Sequence, residues 1–243
     1  MSAATVLVER HGPRADVILN RPRRRNAIIR ETIGRLQTAF AELEHDPGVA
    51  AIVVRGAGGC FCSGLDLAEP DLPAVGAAWA DLHLRIHAMT TPTVAALERA
   101  AINAGAALAL ACDLLVAGET AILQVKEAAM GMTPPVNLAW MATKYPMALA
   151  LRLTLGCEPM DAAQLVTAGI AMRSVPDDDV VIEAQRLADA IARYPNRAAR
   201  AVKRDVSAAY RGGFAAVSAT IRSGTCPAGG TPGEIGPEEA FRG

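Results

Sequence analysis

Three short apolar runs, separated by segments with helical spacing, constrain the fold of this chain more than any other feature. The runs read VAAIVVRG at 49–56, PTVAALE at 92–98 and DLLVAG at 113–118. Continuous apolar stretches of this length, rich in β-branched residues, are typical of strands buried on both faces of a parallel sheet. Helix-like segments at 79–89 and 104–112 lie between them. Because strands that alternate with helices form right-handed βαβ crossovers, the sequence predicts an α/β protein.

The segments before these runs predict a hairpin and one helix, and the segments after them predict further helices. The runs TVLVER and ADVILN flank the turn residues HGPR at 11–14. From 26 to 44, apolar residues recur at three- and four-residue intervals, which indicates an amphipathic helix. Beyond about residue 145 the period is helical, with only a short extended piece at 174–176, so we expect the strands to stop there. The last 20 residues are rich in Gly and Pro and do not predict a long helix.

The composition indicates one ordered globular unit and argues against several kinds of partner. The 243 residues are 51% hydrophobic and 20% charged, and the net charge is −1, so nothing electrostatic favours nucleic acid or an anionic membrane. The five cysteines form no regular framework, and the chain starts without a secretory pattern. The longest apolar stretch, at 104–112, is well short of the roughly 20 residues that a spanning helix needs. We therefore expect a cytoplasmic protein with reduced thiols.

Two of the predicted strands run into loops of small residues. The first loop reads GAGGCFCSGLDL at 56–67, and the second reads ERAAINAGAA at 98–107. The second loop reaches a predicted helix N-terminus, where the helix dipole favours negative charge. One backbone N–H from each loop could converge on a single oxygen atom, which is the arrangement of an oxyanion hole. Small residues before a helix also serve tight packing, so the loops alone leave both interpretations open.

Several motifs, in order, resemble those of the crotonase family, the enoyl-CoA hydratase/isomerase superfamily. LNRPRRRNAI at 19–28 resembles the family's opening LNRPxxRNAL, and FCSGLDL at 61–67 resembles its FCAGxDL. TPTVAAL and LALACDLLVAGETA resemble the core KPVIAAV…LALACDLxxAxxxA, and LTLGCEPMDAAQLVTAGIAMRSVP resembles the segment LTGxxxxAxxAxxxGLVxxVVP. The chain is identified as a member of this family over roughly residues 5–210.

The resemblance implies a crotonase fold, a ClpP-like spiral of repeated ββα units with two sheets, for residues 1–193. Residues 194–243 would then form a C-terminal helical region that ends in the Gly/Pro-rich tail. The resemblance also implies a homotrimer or a dimer of trimers. It further implies no tightly bound cofactor, with coenzyme A present as part of a thioester substrate.

In this family two backbone N–H groups hold the thioester oxygen, and the resemblance places them on Leu65 and Ala104. The loop near the CoA adenine corresponds to Ser63, Gly64, Asp66 and Leu67, and we expect Asp66 to fix this loop or help to hold the ligand. Arg25 matches a basic position that meets the CoA phosphates. Lys203 matches a basic residue of the C-terminal helix that reaches the CoA of a neighbouring subunit.

Hydratases of the family hold one water between two glutamates, and only one of the two is matched here. The first position is Ala107, and the second is Glu127 in QVKEAAMG, which we expect to be the acid/base. A carboxylate enclosed by apolar residues has a raised pKa, which suits proton transfer. One carboxylate suffices to move a double bond from position 3 to position 2, so isomerisation is favoured on chemistry and hydration follows closely. Glu98 is either a displaced second carboxylate or the ion-pair partner of Arg99.

Two other hypotheses stay open. The first is a non-catalytic homologue that binds acyl-CoA without turnover. The second is other family chemistry, such as thioester hydrolysis or C–C cleavage, to which no residue points. The segment TPPVNLAWMA at 133–142 differs from the family's IPGAGGTQRL, which predicts an acyl group other than a standard short chain. The histidines are scattered and predict no metal site. His83 and His87, which share a helix face, are expected at the surface or at a subunit contact.

Overall fold

A computed structural model describes residues 3–209, which form two β-sheets with helices around them. In chain order, the strands are β1 (Val6–His11), β2 (Arg14–Leu19), β3 (Ala51–Gly56), β4 (Thr93–Leu97), β5 (Ala100–Ile102), β6 (Leu114–Gly118), β7 (Ile122–Gln124), β8 (Met160–Asp161) and β9 (Arg173–Val175). The main sheet has the order β1-β2-β3-β4-β6-β9, and the small sheet has the order β5-β7-β8. The prediction of an α/β protein is confirmed.

The helices are α1 (Arg30–His45), α2 (Leu72–Ala88), α3 (Ala104–Ala111), α4 (Pro135–Lys144), α5 (Met147–Gly156), α6 (Ala162–Thr167), α7 (Val180–Ala192) and α8 (Ala198–Ala209). Short 3-10 turns cover Pro22–Arg24, Ala128–Met130, Asp177–Asp179 and Pro195–Arg197. The predicted hairpin is confirmed, because β1 and β2 pair in antiparallel fashion. Within residues 3–209, no helix has the length and apolar character needed to cross a membrane.

Strand β3 shows why the central apolar runs are continuous. Ala51 and Val53 pack against α7 on one face of the main sheet, while Ile52 and Val54 belong to the larger core on the other face. All four side chains are fully buried. From β2 to β9 the neighbouring strands of this sheet run parallel. The central strands are therefore covered by helices on both faces, as the sequence predicts.

Helix α1 begins later than its apolar period predicts. It starts at Arg30 rather than at Asn26. The side-chain amide of Asn26 donates to the backbone oxygens of Ala57, at 3.0 Å, and of Cys60, at 2.7 Å. The segment before α1 therefore lies against the first small-residue loop instead of continuing the helix.

The expectation that strands stop after residue 145 was wrong. Strand β9 pairs in parallel with β6, and β8 pairs in antiparallel fashion with β7. These strands have three and two residues, which is too short to produce a strand pattern in the sequence. Residues 210–243, which include the predicted Gly/Pro-rich tail, lie outside the described part of the chain. The boundary after residue 193 stays a prediction.

The cysteines that the structure describes are free thiols. Cys60, Cys62 and Cys112 are buried, and Cys157 is partly exposed. Burial raises the pKa of both Cys62 and Cys112 to about 12, so these thiols stay protonated at neutral pH. Cys226 lies outside the described residues.

Candidate active site

The two small-residue loops lie against each other where β3 and β4 end. Cys62 forms an isolated parallel bridge with Ala101, and the Ile102 N–H donates to the Cys62 carbonyl oxygen at 3.0 Å. A Cβ atom on Gly105 would lie only 2.2 Å from that same oxygen. The close approach of the two loops therefore requires glycine at this position.

Leu65 and Ala104 each present a backbone N–H that makes no hydrogen bond within residues 3–209. The first loop is held by bonds from Ile28 N to Gly64 O and from Asp66 N to Ile28 O, both at 2.8 Å. A Cβ atom on Gly64 would lie 3.9 Å from the Ala104 nitrogen, so the two loops are neighbours at this point. Ala104 is also the first residue of α3, where unpaired N–H groups and the helix dipole favour an anionic oxygen.

Asn103 connects the second loop to the segment that carries Glu127. Its side-chain oxygen accepts a hydrogen bond from the Lys126 backbone N–H at 2.9 Å, and its amide nitrogen lies 3.7 Å from the sulfur of Met130. The backbone N–H of Asn103 donates to the carbonyl oxygen of Gln124, the last residue of β7, at 2.8 Å. Asn103 has φ 51 and ψ −111, so this connection is made from a strained backbone conformation.

The carboxyl group of Glu127 is held by Asn137, the third residue of α4. The Asn137 side-chain nitrogen donates to Glu127 Oε1 at 3.2 Å and to the carbonyl oxygen of Asn103 at 3.2 Å. That carbonyl belongs to the same peptide group as the Ala104 N–H. One side-chain amide therefore links the predicted base to the peptide that carries a predicted oxyanion donor.

Two acceptor atoms of this pair are buried and have no hydrogen-bond partner in the part of the chain that the structure describes. They are Glu127 Oε2 and Asn137 Oδ1. Burial raises the pKa of Glu127 to about 7, and its own backbone N–H and the Asn137 amide partly offset this effect. The carboxyl group therefore titrates close to neutral pH, as the sequence predicts for an acid/base in apolar surroundings.

Comparison with known proteins decides the family of the chain. The family model for enoyl-CoA hydratase/isomerase matches residues 13–222. The chain belongs to this family. A Mycobacterium tuberculosis protein named probable enoyl-CoA hydratase echA8 is 34% identical over 215 residues, which cover 86% of this chain and 84% of that protein.

Two solved structures are also similar to this chain. A carnitinyl-CoA dehydratase from Mycobacterium avium 104 is 31% identical, with a TM-score of 0.79 and coverage of 91% of this chain and 92% of that one. The structure of EchA1_1 from Mycobacterium paratuberculosis is 30% identical, with a TM-score of 0.81 and coverage of 99% and 97%. The crotonase fold implied by the sequence motifs is therefore confirmed.

Within residues 3–209, no second carboxylate contributes to the electrostatic environment of Glu127. Ala107 is fully buried in α3. Glu98 lies near Arg55, which opposes the rise in its pKa caused by burial, and near Cys60. The causes of the raised Glu127 pKa include no charged side chain. The structure therefore favours Glu98 as an ion-pair partner outside the site over Glu98 as a displaced second carboxylate. Its charged neighbour is Arg55 rather than Arg99.

The predicted CoA-binding loop is fixed by an ion pair that the sequence analysis did not identify. Asp66 Oδ2 lies 3.1 Å from the Arg21 guanidinium, and both side chains are mostly buried. The Ser63 N–H donates to the Arg25 carbonyl oxygen at 3.0 Å, while the side chains of Arg25 and Leu67 are exposed. The structure thus brings Arg25 beside the loop and gives Asp66 a role in holding it. The basic run at 21–25 was the available signal for Arg21.

Lys203 has partners within its own chain. Its ammonium nitrogen lies 2.8 Å from Asp113 Oδ2 and 2.9 Å from the Thr91 carbonyl oxygen. The side chain is 11% exposed. These contacts assign Lys203 to the docking of α8 onto the segment before β4 and the start of β6. The CoA contact to a neighbouring subunit stays a prediction, as does the trimeric or hexameric assembly.

The expectation that His83 lies at the surface or at a subunit contact was wrong. The side chain is 1% exposed, and its Nδ1 atom accepts a hydrogen bond from Trp140 Nε1 at 2.8 Å. Burial lowers the pKa of His83 to about 3, so the ring is neutral. The apolar neighbours at three- and four-residue spacing along 79–89 were the signal for burial. His87, one turn later, stacks edge-on against Trp140 with ring centroids 5.6 Å apart.

A cluster of three titratable side chains lies on the β1–β2 hairpin, away from Glu127. Glu9, His11 and Asp16 place their potential ligand atoms within 4.8 Å of one another, at a place where the sequence predicted no metal site. The buried Asp16 carboxylate already accepts hydrogen bonds from Arg14 at 2.9 Å and from Gln185 at 2.6 Å. This group is therefore an ion-pair network between the hairpin and α7.

The two asparagines that organise the site were not predicted from the sequence. Asn137 follows two prolines in TPPVNLAW, and the prolines signalled a helix start without indicating what the third helical residue contacts. Asn103 lies in the predicted second loop, ERAAINAGAA, but nothing in that run indicates what its side chain contacts. Side-chain bonds between distant segments leave no periodic trace in a sequence.

Proposed function

We propose that the chain is an enzyme that moves protons at the carbons next to the thioester of an enoyl-CoA, through an enolate intermediate. The backbone N–H groups of Leu65 and Ala104 hold the thioester oxygen, and Glu127 is the acid/base. The observation that carries this proposal is the buried Glu127 carboxyl group, whose pKa of about 7 fits proton transfer at neutral pH. Its bond to Asn137 keeps it beside the Ala104 peptide.

The two N–H groups act on the charge that develops during the reaction. Removal of a proton from C2, or addition of a nucleophile at C3, places negative charge on the thioester oxygen. Two fixed donors in a site with little water stabilise such an oxyanion by several kcal/mol. Because Leu65 N–H and Ala104 N–H make no other hydrogen bond in the described chain, no internal bond has to break before they bind the oxygen.

Double-bond isomerisation is the reaction that Glu127 can complete alone. The carboxylate removes a proton from C2 of a 3-enoyl-CoA, the electrons move into the thioester as a dienolate, and the same carboxyl group returns the proton at C4. The described site contains no second carboxylate, which supports this choice. Ala107 and the residues around it on α3 supply no side-chain acid or base.

Hydration is the second candidate, and the names of the relatives favour it. The echA8 protein is named as an enoyl-CoA hydratase, and the Mycobacterium avium structure is named as a carnitinyl-CoA dehydratase. Both names describe the addition or removal of water at a CoA thioester. The oxyanion donors and Glu127 would serve this reaction as well, provided that the site holds a water molecule.

The CoA part of the substrate would contact the loop from Ser63 to Leu67, with Arg25 near the phosphates. Arg25 is exposed beside this loop, so its guanidinium is accessible to an anion. No tightly bound cofactor is needed for either reaction. A cytoplasmic location and an assembly of three or six copies are part of the same proposal.

The test is turnover of two matched thioesters, trans-3-hexenoyl-CoA and trans-2-hexenoyl-CoA, with chromatographic separation of substrate, isomer and hydrate. We expect the wild type to convert the 3-enoyl thioester, and Glu127→Gln to lower that rate by roughly 100- to 10,000-fold. Glu98→Gln is the matched control, because its carboxyl group is partly buried and its pKa is also raised, but it lies near Arg55. Binding of both thioesters without turnover of either would instead support a non-catalytic acyl-CoA-binding homologue.

A further inference from the structure

Glu127 Oε2 and Asn137 Oδ1 are buried hydrogen-bond acceptors, and no donor from residues 3–209 reaches either of them. Asn137 is only 2% exposed, so bulk water does not reach it freely. A buried acceptor left unpaired costs about 1–3 kcal/mol, so two of them in one place indicate a missing donor. These two atoms belong to side chains that already share a hydrogen bond, which places them within reach of one small molecule.

The orientation of the Asn137 amide follows from its neighbours. Its nitrogen faces two oxygens, Glu127 Oε1 and the Asn103 carbonyl, both at 3.2 Å. The reverse orientation would set the amide oxygen against two other acceptors. Asn137 Oδ1 therefore faces away from the Asn103 carbonyl and stays available to a donor.

The state of Glu127 decides which donor is needed. When the carboxyl group is protonated, its hydrogen can be shared with Asn137 Oδ1. When it is ionised, which is the state that acts as a base, both oxygens are acceptors only. The nearby α3 has only Gly, Ala and Leu side chains, so it offers no side-chain donor. A molecule with two O–H hydrogens fits this pair of acceptors.

We propose that Glu127 and Asn137 together bind one water molecule, and that this water is the nucleophile of a hydratase activity. The inference rests on the enolate chemistry proposed above and extends it to a second reaction of the same site. Isomerisation uses Glu127 alone, whereas hydration uses Glu127 and the water that Asn137 helps to hold.

The step balances with one water and one carboxylate. Glu127 Oε2 takes a proton from the water while the water oxygen bonds to C3, and Asn137 Oδ1 accepts the second O–H hydrogen. The C2=C3 electrons move to the thioester oxygen, where the Leu65 and Ala104 N–H groups hold the enolate. The enolate then collapses, C2 takes the proton from Glu127, and the carboxylate is restored. The net result is addition of H and OH across the double bond.

The experiment compares hydration of trans-2-hexenoyl-CoA with isomerisation of trans-3-hexenoyl-CoA in wild type and in Asn137→Leu. Leucine has a similar size but no acceptor. Both rates are measured on the alkaline plateau, where Glu127 is ionised in both proteins, so that a change in its pKa does not enter. We expect isomerisation to fall about 10-fold, because the bond from Asn137 that holds Glu127 is lost, and hydration to fall at least about 10-fold further, because the bound water is lost too. Thr143→Ala, on the same helix α4, is the control that leaves both rates unchanged.

Equal losses of the two rates in Asn137→Leu would overturn the inference. Absence of hydration in a wild type that isomerises the 3-enoyl thioester would overturn it too, while leaving the proposed function intact. A wild type that converts neither hexenoyl thioester, nor the matching pair of long-chain thioesters trans-3- and trans-2-dodecenoyl-CoA, would reject the proposed function itself. If Asn137→Leu does not fold, a wild-type crystal structure at pH 8.5 decides. We expect a water bonded to Glu127 Oε2 and Asn137 Oδ1, and direct contact of those oxygens without water would contradict the inference.

Discussion

The side-chain oxygen of Asn103 accepts a hydrogen bond from the backbone N–H of Lys126, at 2.9 Å. This bond joins the residue before the Ala104 N–H to the residue before Glu127. One side chain therefore helps to set the distance between a predicted oxyanion donor and the predicted base. Asn103 makes this bond with φ 51 and ψ −111, a backbone conformation that glycine adopts more easily.

Two substitutions at Asn103 separate the hydrogen bond from the backbone strain. Asn103→Ala keeps the strain and loses the bond, so we expect the free energy of unfolding to fall by about 1–2 kcal/mol. Asn103→Gly loses the bond but relieves the strain, so its stability should stay within about 1 kcal/mol of wild type. Both should lower kcat about tenfold with little change in KM, because the Glu127 segment is released. Urea unfolding and steady-state kinetics check this, and wild-type kcat in both variants would contradict it.

Gly105 should be intolerant of a methyl group although it lies in a helix. A Cβ atom there would stand 2.2 Å from the backbone oxygen of Cys62, so Gly105→Ala must push the two loops apart. We expect a loss of more than about 2 kcal/mol in stability and at least a roughly 100-fold loss of activity. Gly76→Ala in α2 is the matched control, since nothing lies within 4 Å of its Cβ position. It should gain about 0.5–1 kcal/mol, and equal stabilities of the two variants would reject the close approach of the loops.

The sequence predicted the buried elements well because burial leaves a pattern. β3, β4 and β6 coincide with the three apolar runs, and α7 with a helical period. The short strands β5, β7 and β8 were not predicted, and β9 was predicted only as a short extended piece at 174–176, because two or three residues cannot show an alternation. The start of α1 was missed because Asn26 bonds to Ala57 and Cys60, which are more than 30 residues further along the chain.

In the candidate site, only the residues that belong to family motifs were predicted from the sequence. Leu65, Ala104 and Glu127 follow from motif positions, and the structure places the two loops side by side with Glu127 tied to the second one. Asn137 was not predicted, because its bonds to Glu127 and to the Asn103 carbonyl depend on how α4 packs beside α3. His83 was misplaced for the same reason, since its partner Trp140 lies on another helix.

The isomerisation rate should depend on pH through Glu127. Burial raises the pKa of this carboxyl group to about 7, and only the ionised form can remove a proton from C2. We therefore expect kcat/KM for trans-3-hexenoyl-CoA to rise about tenfold per pH unit below pH 7 and to level off above it. A profile that is flat from pH 5 to 8 would exclude Glu127 as the base.

Arg25 and Lys203 should respond in opposite ways to loss of charge. Lys203 is 11% exposed and paired with Asp113, so Lys203→Met should lower the free energy of unfolding by about 1–3 kcal/mol with little change in KM. Arg25 is exposed, so Arg25→Met should leave stability unchanged and raise the KM for CoA thioesters several-fold. Thermal unfolding and steady-state kinetics test both variants. A higher KM in stable Lys203→Met would instead support a CoA contact for this residue.

Glu127 should lower the stability of the protein at pH values at which its carboxyl group is ionised. Its pKa rises from an ordinary 4.5 to about 7 on folding, so between these values the folded state holds a proton that the unfolded chain has released. The free energy of unfolding therefore falls as pH rises through this window and stays low above it. Glu127→Gln removes this titration, so at pH 8.5 the variant should exceed wild type by about 1–3 kcal/mol. At pH 4.5 most of that gain should vanish. Urea unfolding at the two pH values measures this difference. A gain of equal size at both pH values would show that folding does not raise the pKa of Glu127.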